Sequence, residues 1–397
     1  MVDGRDTEAK IPVLRYGMVG GGEGAFIGEV HRKAAAFDRK SVLVAGAFSR
    51  DFENSLRTGK QLRLSRDRIY ENFEEMAQKE AQREDRIDYV VIVTPNAIHY
   101  PVAKAFLQRG FHVVCDKPLT LTVEESRELK ELAENKKLLF GVTYTYSGYP
   151  MVIQAREMIK NGLIGDIRMV MAEYPQEWLA ESVEKSNNKQ ASWRTDPKLS
   201  GIANCLGDIG THIENTVSRI TGLQIEYLCC SLDSFGEGRV LDDNVTVNIR
   251  YRGGARGLYW ASQIAIGSEN GLRIRVYGTK GSLEWAQEDP NYLTVTFLNG
   301  PQQRFTRGSV YLSPKASKWC RIPAGHPEGY FEAFANIYSA FGEALLKHKR
   351  GQILTNEDLD FPDVEDGLQG VIFVHRCVES AKQGGIWLTL ESKEESE

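Results

Sequence analysis

Two side chains four residues apart could handle a proton. In Gly207-Asp208-Ile209-Gly210-Thr211-His212 the carboxylate and the imidazole share one face if the segment is helical. A histidine so placed takes a proton from a hydroxyl near neutral pH, and Asp208 can orient it or bind substrate. The competing reading is an aspartate N-cap followed by a packing histidine. Ninety residues earlier, Asp116-Lys117-Pro118 closes an apolar run. An ammonium there can steady a developing alkoxide, although most lysines are simply solvated. Metal ligation at Asp208 and His212 would need a further carboxylate or histidine, and no supporting motif is present. The expectation is no metal.

A third segment suits a dinucleotide. Gly20-Gly21-Gly22-Glu23-Gly24-Ala25-Phe26-Ile27-Gly28 directly follows an apolar run and precedes a helical one. Gly20, Gly22 and Ala25 satisfy G-x-G-x-x-A, which lets backbone N–H groups approach a pyrophosphate at a helix N-terminus. Phe26 and Ile27 belong to the same cofactor-facing turn, and Glu23 should point away from the phosphates. After the second apolar run come Phe48-Ser49-Arg50-Asp51. An acid there favours NAD and an arginine accommodates NADP. With Ser49 and Arg50 ahead of Asp51, both NAD and NADP stay open.

The elements that must hold these residues fall into two groups. Apolar runs at Val13–Val19, Val42–Phe48, Asp88–Val93, Phe111–Cys115 and Leu138–Thr143 alternate with helical stretches, among them Pro101–Gln108 and a helix opened by Thr122 and Glu125. That alternation predicts a parallel, doubly wound sheet. A helix is expected over Thr211–Ile220. Alternating runs at Val245–Tyr251, Ala255–Ile264, Leu272–Gly278 and Tyr292–Phe297 then suit an antiparallel sheet with turns at Gly253-Gly254 and Gly278–Gly281. Helices over Pro327–Lys347 and Asp363–Gln383 and a solvated tail, Glu391–Glu397, follow. The fold class is α/β: a Rossmann domain over residues 1–143 and an α+β domain over 144–397.

The chain has 397 residues, 42% of them hydrophobic and 26% charged, which excludes a disordered or collagen-like protein. A net charge of −5 argues against nucleic-acid or anionic-membrane partners. Met1–Lys10 is polar, without the apolar stretch of a secretory signal. Six cysteines without a C-x-x-C pair suit a reducing, cytoplasmic setting.

Together the glycine loop with His31 downstream, Asp116-Lys117-Pro118 and Asp208 to His212 resemble the Gfo/Idh/MocA oxidoreductases, the relatives of glucose–fructose oxidoreductase and inositol dehydrogenase. The resemblance spans nearly the whole chain. It implies a Rossmann domain, an open-faced antiparallel sheet used for a homodimer or homotetramer, NAD or NADP, and a sugar or cyclitol substrate. Lys117 matches the family's lysine, with Asp116 where glutamate is usual. His212 matches the acid/base and Asp208 its companion. Thr94, Pro95, Asn96 and His99 match a T-P-N-x-x-H segment beside the cofactor, where Asp116, Lys117 and the W-R pair Trp193-Arg194 are also expected.

The implied reaction is oxidation of a secondary hydroxyl, with Lys117 and His212 assisting. A glycosidase that retains its nicotinamide, oxidising a sugar transiently and eliminating the aglycone, is the alternative; a non-catalytic cofactor-binding regulator is another. Substrate contacts are expected from Lys117, Tyr144, Gln176, Asp208, His212 and His326, within a pocket that also holds Tyr146, Trp178 and Trp193. For Tyr144 core packing competes, and for Gln176 and Trp178 a sheet-surface position does. His112 and His375 suit the core, and His348 a solvated helix end.

Overall fold

The computed structural model describes residues 13–186 and 189–390. The polar start Met1–Lys10 and the tail Glu391–Glu397 lie outside them. Five parallel strands form the first sheet: β1 (Leu14–Gly20), β2 (Ser41–Ala47), β3 (Tyr89–Val93), β4 (His112–Cys115) and β5 (Phe140–Val142), in the order β2-β1-β3-β4-β5. The chain builds outward from β1 to β2, then crosses back to place β3 on the other side. The topological switch therefore lies between β1 and β3, where Gly20 pairs with Val93. Ligands of open α/β sheets bind outside the carboxyl ends of strands at such a point.

All five residues of β3 are buried, because both faces of the sheet are covered. One face packs under α3 (Phe73–Ala81), α4 (His99–Gln108) and α5 (Val123–Asn135). The other lies under α1 (Phe26–Ala36) and under a helix from the far end of the chain, α11 (Tyr330–Lys349), whose Phe341 meets the ring of Tyr89. The core thus runs from one half of the chain into the other. The helices α2 (Phe52–Gln61) and α3 are capped by Asp51 and Asn72, and α6 (Pro150–Lys160) starts on a proline.

The second sheet has nine strands: β6 (Ile167–Pro175), β7 (Ile225–Asp233), β8 (Asn244–Tyr251), β9 (Arg256–Ser262), β10 (Arg273–Gly278), β11 (Gly281–Ala286), β12 (Tyr292–Phe297), β13 (Gln302–Thr306) and β14 (Leu388–Thr389). Their order is β13-β12-β11-β10-β6-β9-β8-β7-β14. Two antiparallel meanders, β7-β8-β9 and β10 to β13, flank β6. The expected purely antiparallel sheet needs one correction: β6 pairs with β9 in parallel. A long connection separates the two strands, and only such a crossover permits parallel pairing. Along β8, Val245, Val247, Ile249 and Tyr251 are buried while their neighbours turn outward. That buried face packs against α6, α9 (Thr211–Thr221) and α12 (Val364–Lys382). The late helices begin slightly later than expected, α11 behind Gly329 and α12 behind the cap Asp363.

Candidate active site

The glycine loop sits at the switch point. Gly20, Gly21 and Gly24 take positive φ values of 84°, 72° and 81°, backbone that side chains disfavour. A Cβ on Gly22 would lie 2.5 Å from Asn54 Oδ1 and 2.9 Å from the Phe48 carbonyl oxygen. One on Gly28 would stand 2.4 Å from the Gly21 Cα, so the loop and α1 touch through their backbones. The N-cap of α1, Ala25, offers no capping side chain, which leaves first-turn N–H groups for an anion. Phe26 is exposed, Ile27 is half-buried, and Glu23 turns outward to pair with Arg57 at 2.9 Å. Beside the loop, Thr94 Oγ1 is buried without a hydrogen-bond partner, and His31 Nε2 has only a long contact to Asp116. An open helix start, an all-backbone loop and an orphaned hydroxyl fit a bound dinucleotide.

Ser49 and Arg50 lie in the turn after β2. The Ser49 N–H donates to Ser55 Oγ at 2.9 Å, and Ser49 Oγ accepts from the Asp51 N–H at 3.1 Å. Asp51 spends its carboxylate on the Glu53 N–H as the cap of α2, whereas Arg50 is exposed.

At the ends of β3 and β4 a histidine fastens two loops together. His99 Nε2 lies 2.9 Å from the Thr94 carbonyl and Nδ1 2.9 Å from that of Pro118. His99, expected to face cofactor, is buried between these loops. Asn96 is buried too, its Nδ2 donating to the Ser200 carbonyl at 3.2 Å. Asp116 Oδ1 accepts from the Lys117 N–H and from Thr143 Oγ1, each at 2.9 Å, while Oδ2 stands 3.8 Å from His31 Nε2. Burial would raise the Asp116 pKa, but His31 and Lys117 hold it well below the usual carboxylate range.

Lys117 reaches across to the second half of the chain. Its Nζ donates to the Asp208 carbonyl at 2.6 Å and to Asp208 Oδ1 at 2.9 Å. Asp208 Oδ2 takes Gln263 Nε2 at 3.0 Å and stands 3.3 Å from Arg194 Nε. Burial works against this carboxylate, yet Lys117 and Arg194 keep it ionised and far below the usual range. Asp208 lies in a π-helical turn, Leu206–Gly210, ahead of α9. It does not cap α9, whose N-cap position is Gly210. His212 follows in the first turn of α9, where burial and the Lys117 charge push its pKa well below 6.5. The imidazole is therefore neutral at pH 7. Its Nδ1 is buried without a hydrogen-bond partner, and a neutral imidazole keeps one ring nitrogen free to accept a proton.

Aromatic rings hold this histidine. Tyr146 meets it edge-on at 4.6 Å, Tyr144 at 5.8 Å, and Tyr174 lies at 6.3 Å. The Tyr146 and Tyr174 hydroxyls bond to each other, Tyr174 donates to Asn270 Oδ1 at 2.7 Å, and Gln176 Nε2 donates to the same oxygen at 2.8 Å. Trp178 Nε1 donates to Gln176 Oε1 at 3.1 Å. The Arg194 guanidinium lies 4.3 Å from the Trp193 ring and 5.9 Å from that of Trp178. Gln176 and Trp178 follow β6 instead of sitting on it, in a network leading to His212. Of Trp193 and Arg194, expected at the cofactor, Arg194 stands beside Asp208 and Trp193 packs on its guanidinium.

His326 is not brought in. It stands exposed in the loop before α11, its carbonyl bound by Arg307. His112 is buried as expected, its Nδ1 accepting the Leu139 N–H, whereas His375, expected in the core, is only half-buried, with Nε2 3.0 Å from the Leu121 carbonyl. Sequence reasoning missed Asn204, Asp242, Gln263 and Asn270, which converge on the cluster from loops and strand ends with no local motif.

Residues 14–144 match the NAD-binding Rossmann fold of the Gfo/Idh/MocA oxidoreductase family, and residues 156–390 match its C-terminal alpha/beta domain. The chain belongs to that family and is an NAD(P)-dependent dehydrogenase. An inositol dehydrogenase homolog from Azotobacter vinelandii, solved with NADH and myo-inositol, is 40% identical; the match covers 95% of this chain and 97% of that one, with a TM-score of 0.89. Uncharacterized oxidoreductase YfiI of Bacillus subtilis is 40% identical over 94% of this chain and 96% of its own length. Levoglucosan dehydrogenase of Pseudarthrobacter phenanthrenivorans is 30% identical over 74% and 78%.

Proposed function

We propose that the protein oxidises a secondary hydroxyl of a cyclitol or sugar, with NAD or NADP as oxidant. The observation that carries this reading is the Lys117–Asp208 pair beside a neutral, buried His212, outside the carboxyl end of β4. Of the three Lys117 donors, two are taken by Asp208, and the third is available to a substrate oxygen. The His212 imidazole accepts the hydroxyl proton, and Lys117 stabilises the negative oxygen as it forms. When bound, the nicotinamide supplies the hydride acceptor. Asp208 anchors the ammonium, and Arg194 adds a second cation against the same carboxylate. The polar groups around His212, from Tyr146, Tyr174, Gln176 and Asn270, are neutral donors and acceptors, which suits a polyhydroxylated, uncharged ligand.

The relatives named for inositol and levoglucosan support cyclitols and sugars as the class. We assign residues 1–143 to cofactor and 144–397 to substrate and to homo-oligomer contacts through the outer face of the nine-stranded sheet, in a cytoplasmic enzyme. The test is a panel of cyclitols, free or anhydro sugars and glycosides, offered separately with NAD and NADP, following nicotinamide reduction and substrate consumption. Reduction with at least one cyclitol or sugar supports the reading. Turnover of a glycoside with no net reduction, or binding of cofactor without turnover across the panel, contradicts it.

A further inference from the structure

The turn that carries Asp208 is held by a carboxylate that belongs to neither motif. Asp242 is buried at 6% exposure, two residues before β8. Its Oδ1 accepts from the Asn204 N–H and its Oδ2 from the Leu206 N–H, both at 2.7 Å. These two amides lead into the π-helical turn and need partners from outside it. The Asp242 carbonyl also accepts from the Cys205 N–H and from Asn204 Nδ2, each at 3.1 Å. Asn204 Nδ2 gives its other hydrogen to Gln263 Oε1 at 2.8 Å, and Gln263 Nε2 donates to Asp208 Oδ2 at 3.0 Å. A second path is direct, since the Asp208 N–H donates to the Asn204 carbonyl at 2.8 Å.

We infer that Asp242, acting through Asn204 and Gln263, is a positioning residue that sets the Asp208 carboxylate and through it the Lys117 ammonium. The inference rests on the proposed roles of Asp208 and Lys117. Every side-chain atom on the path except Asn204 Oδ1 has a partner, and Gln263 is fully buried, so its amide has one orientation that satisfies both ends. The two oxygens of Asp242 each hold a backbone N–H. An amide in its place turns an NH₂ group toward one of them and loosens the turn.

The experiment compares the full-length wild type with Asp208→Asn, Asp242→Asn and the double variant, on the best substrate of the panel. Expected for Asp242→Asn is a fall in kcat of about 10- to 100-fold, the scale at which small misplacement of a reacting group is felt. KM for the nicotinamide cofactor should stay within about twofold, since the glycine loop is untouched. In the Asp208→Asn background the same change should cost less than about threefold more, because both act on one carboxylate. Undiminished kcat in Asp242→Asn, or losses that multiply in full, overturns the inference while leaving the role of Asp208 standing. Wild-type turnover in Asp208→Asn overturns both together. If Asp242→Asn does not fold, Gln263→Leu cuts the path at its other end, with the same split between kcat and cofactor KM expected and the same overturning results.

Discussion

At the scale of single residues, the site sets opposite charge states side by side by different means. Asp208 is kept ionised by two cations, although burial opposes it. His212 is kept neutral because burial and Lys117 both oppose its charging. The base is therefore unprotonated in the resting enzyme and loses that form only as pH falls through its depressed pKa. The acid limb of kcat/KM for alcohol oxidation is expected below pH 6.5. A limb centred at or above 6.5 in a pH–rate profile would contradict the assignment. Most of these side chains were legible as types. Lys117, Asp208 and His212 stand in short motifs, and strand ends in this fold face ligand. Asp242 and Gln263 were not legible, because their value lies in contacts to chain 36 and 55 residues away.

At the scale of elements, the glycine loop was the clearest signal, since it needs backbone that other residues resist. Its contact with α1 has a sharp consequence. Gly28→Ala would drive a methyl against the Gly21 backbone at 2.4 Å, where no flexible side chain can yield. The expected outcome is a loss of about 1–3 kcal/mol in unfolding free energy, together with weaker NAD binding as the loop shifts. Denaturant melts and a cofactor titration check both; a variant with unchanged midpoint and affinity refutes the close approach. The helices α2 and α3 escaped the sequence reading because they are short and polar, and their caps Asp51 and Asn72 precede no long apolar stripe. The parallel pairing of β6 with β9 escaped it because a strand's alternation shows which face is buried and not which neighbour it meets.

At the scale of the whole molecule, the two halves share one interior. Helix α11 closes the open face of the first sheet, and the Val142 N–H donates to the Pro362 carbonyl. Deep in the second half, Glu214 is buried near Asp366, and burial pushes its pKa from 4.5 up to about 8. The folded chain keeps this proton where the unfolded chain has released it. Its contribution is complete below 4.5 and is lost as pH rises toward 8. Glu214→Gln is expected to flatten the decline of stability across that window by at most about 1.4 kcal/mol per pH unit; identical pH–stability curves for the two proteins would refute it. The same union of halves places an amine from the loop after β4 against a carboxylate and an imidazole at the start of α9. The most direct test is single-turnover reduction of the nicotinamide with the best polyol substrate in the wild type, Lys117→Ala and His212→Ala. Both variants should slow the step by about 10²-fold or more while cofactor affinity is retained. An unchanged rate in either one would contradict the shared role of these two nitrogens.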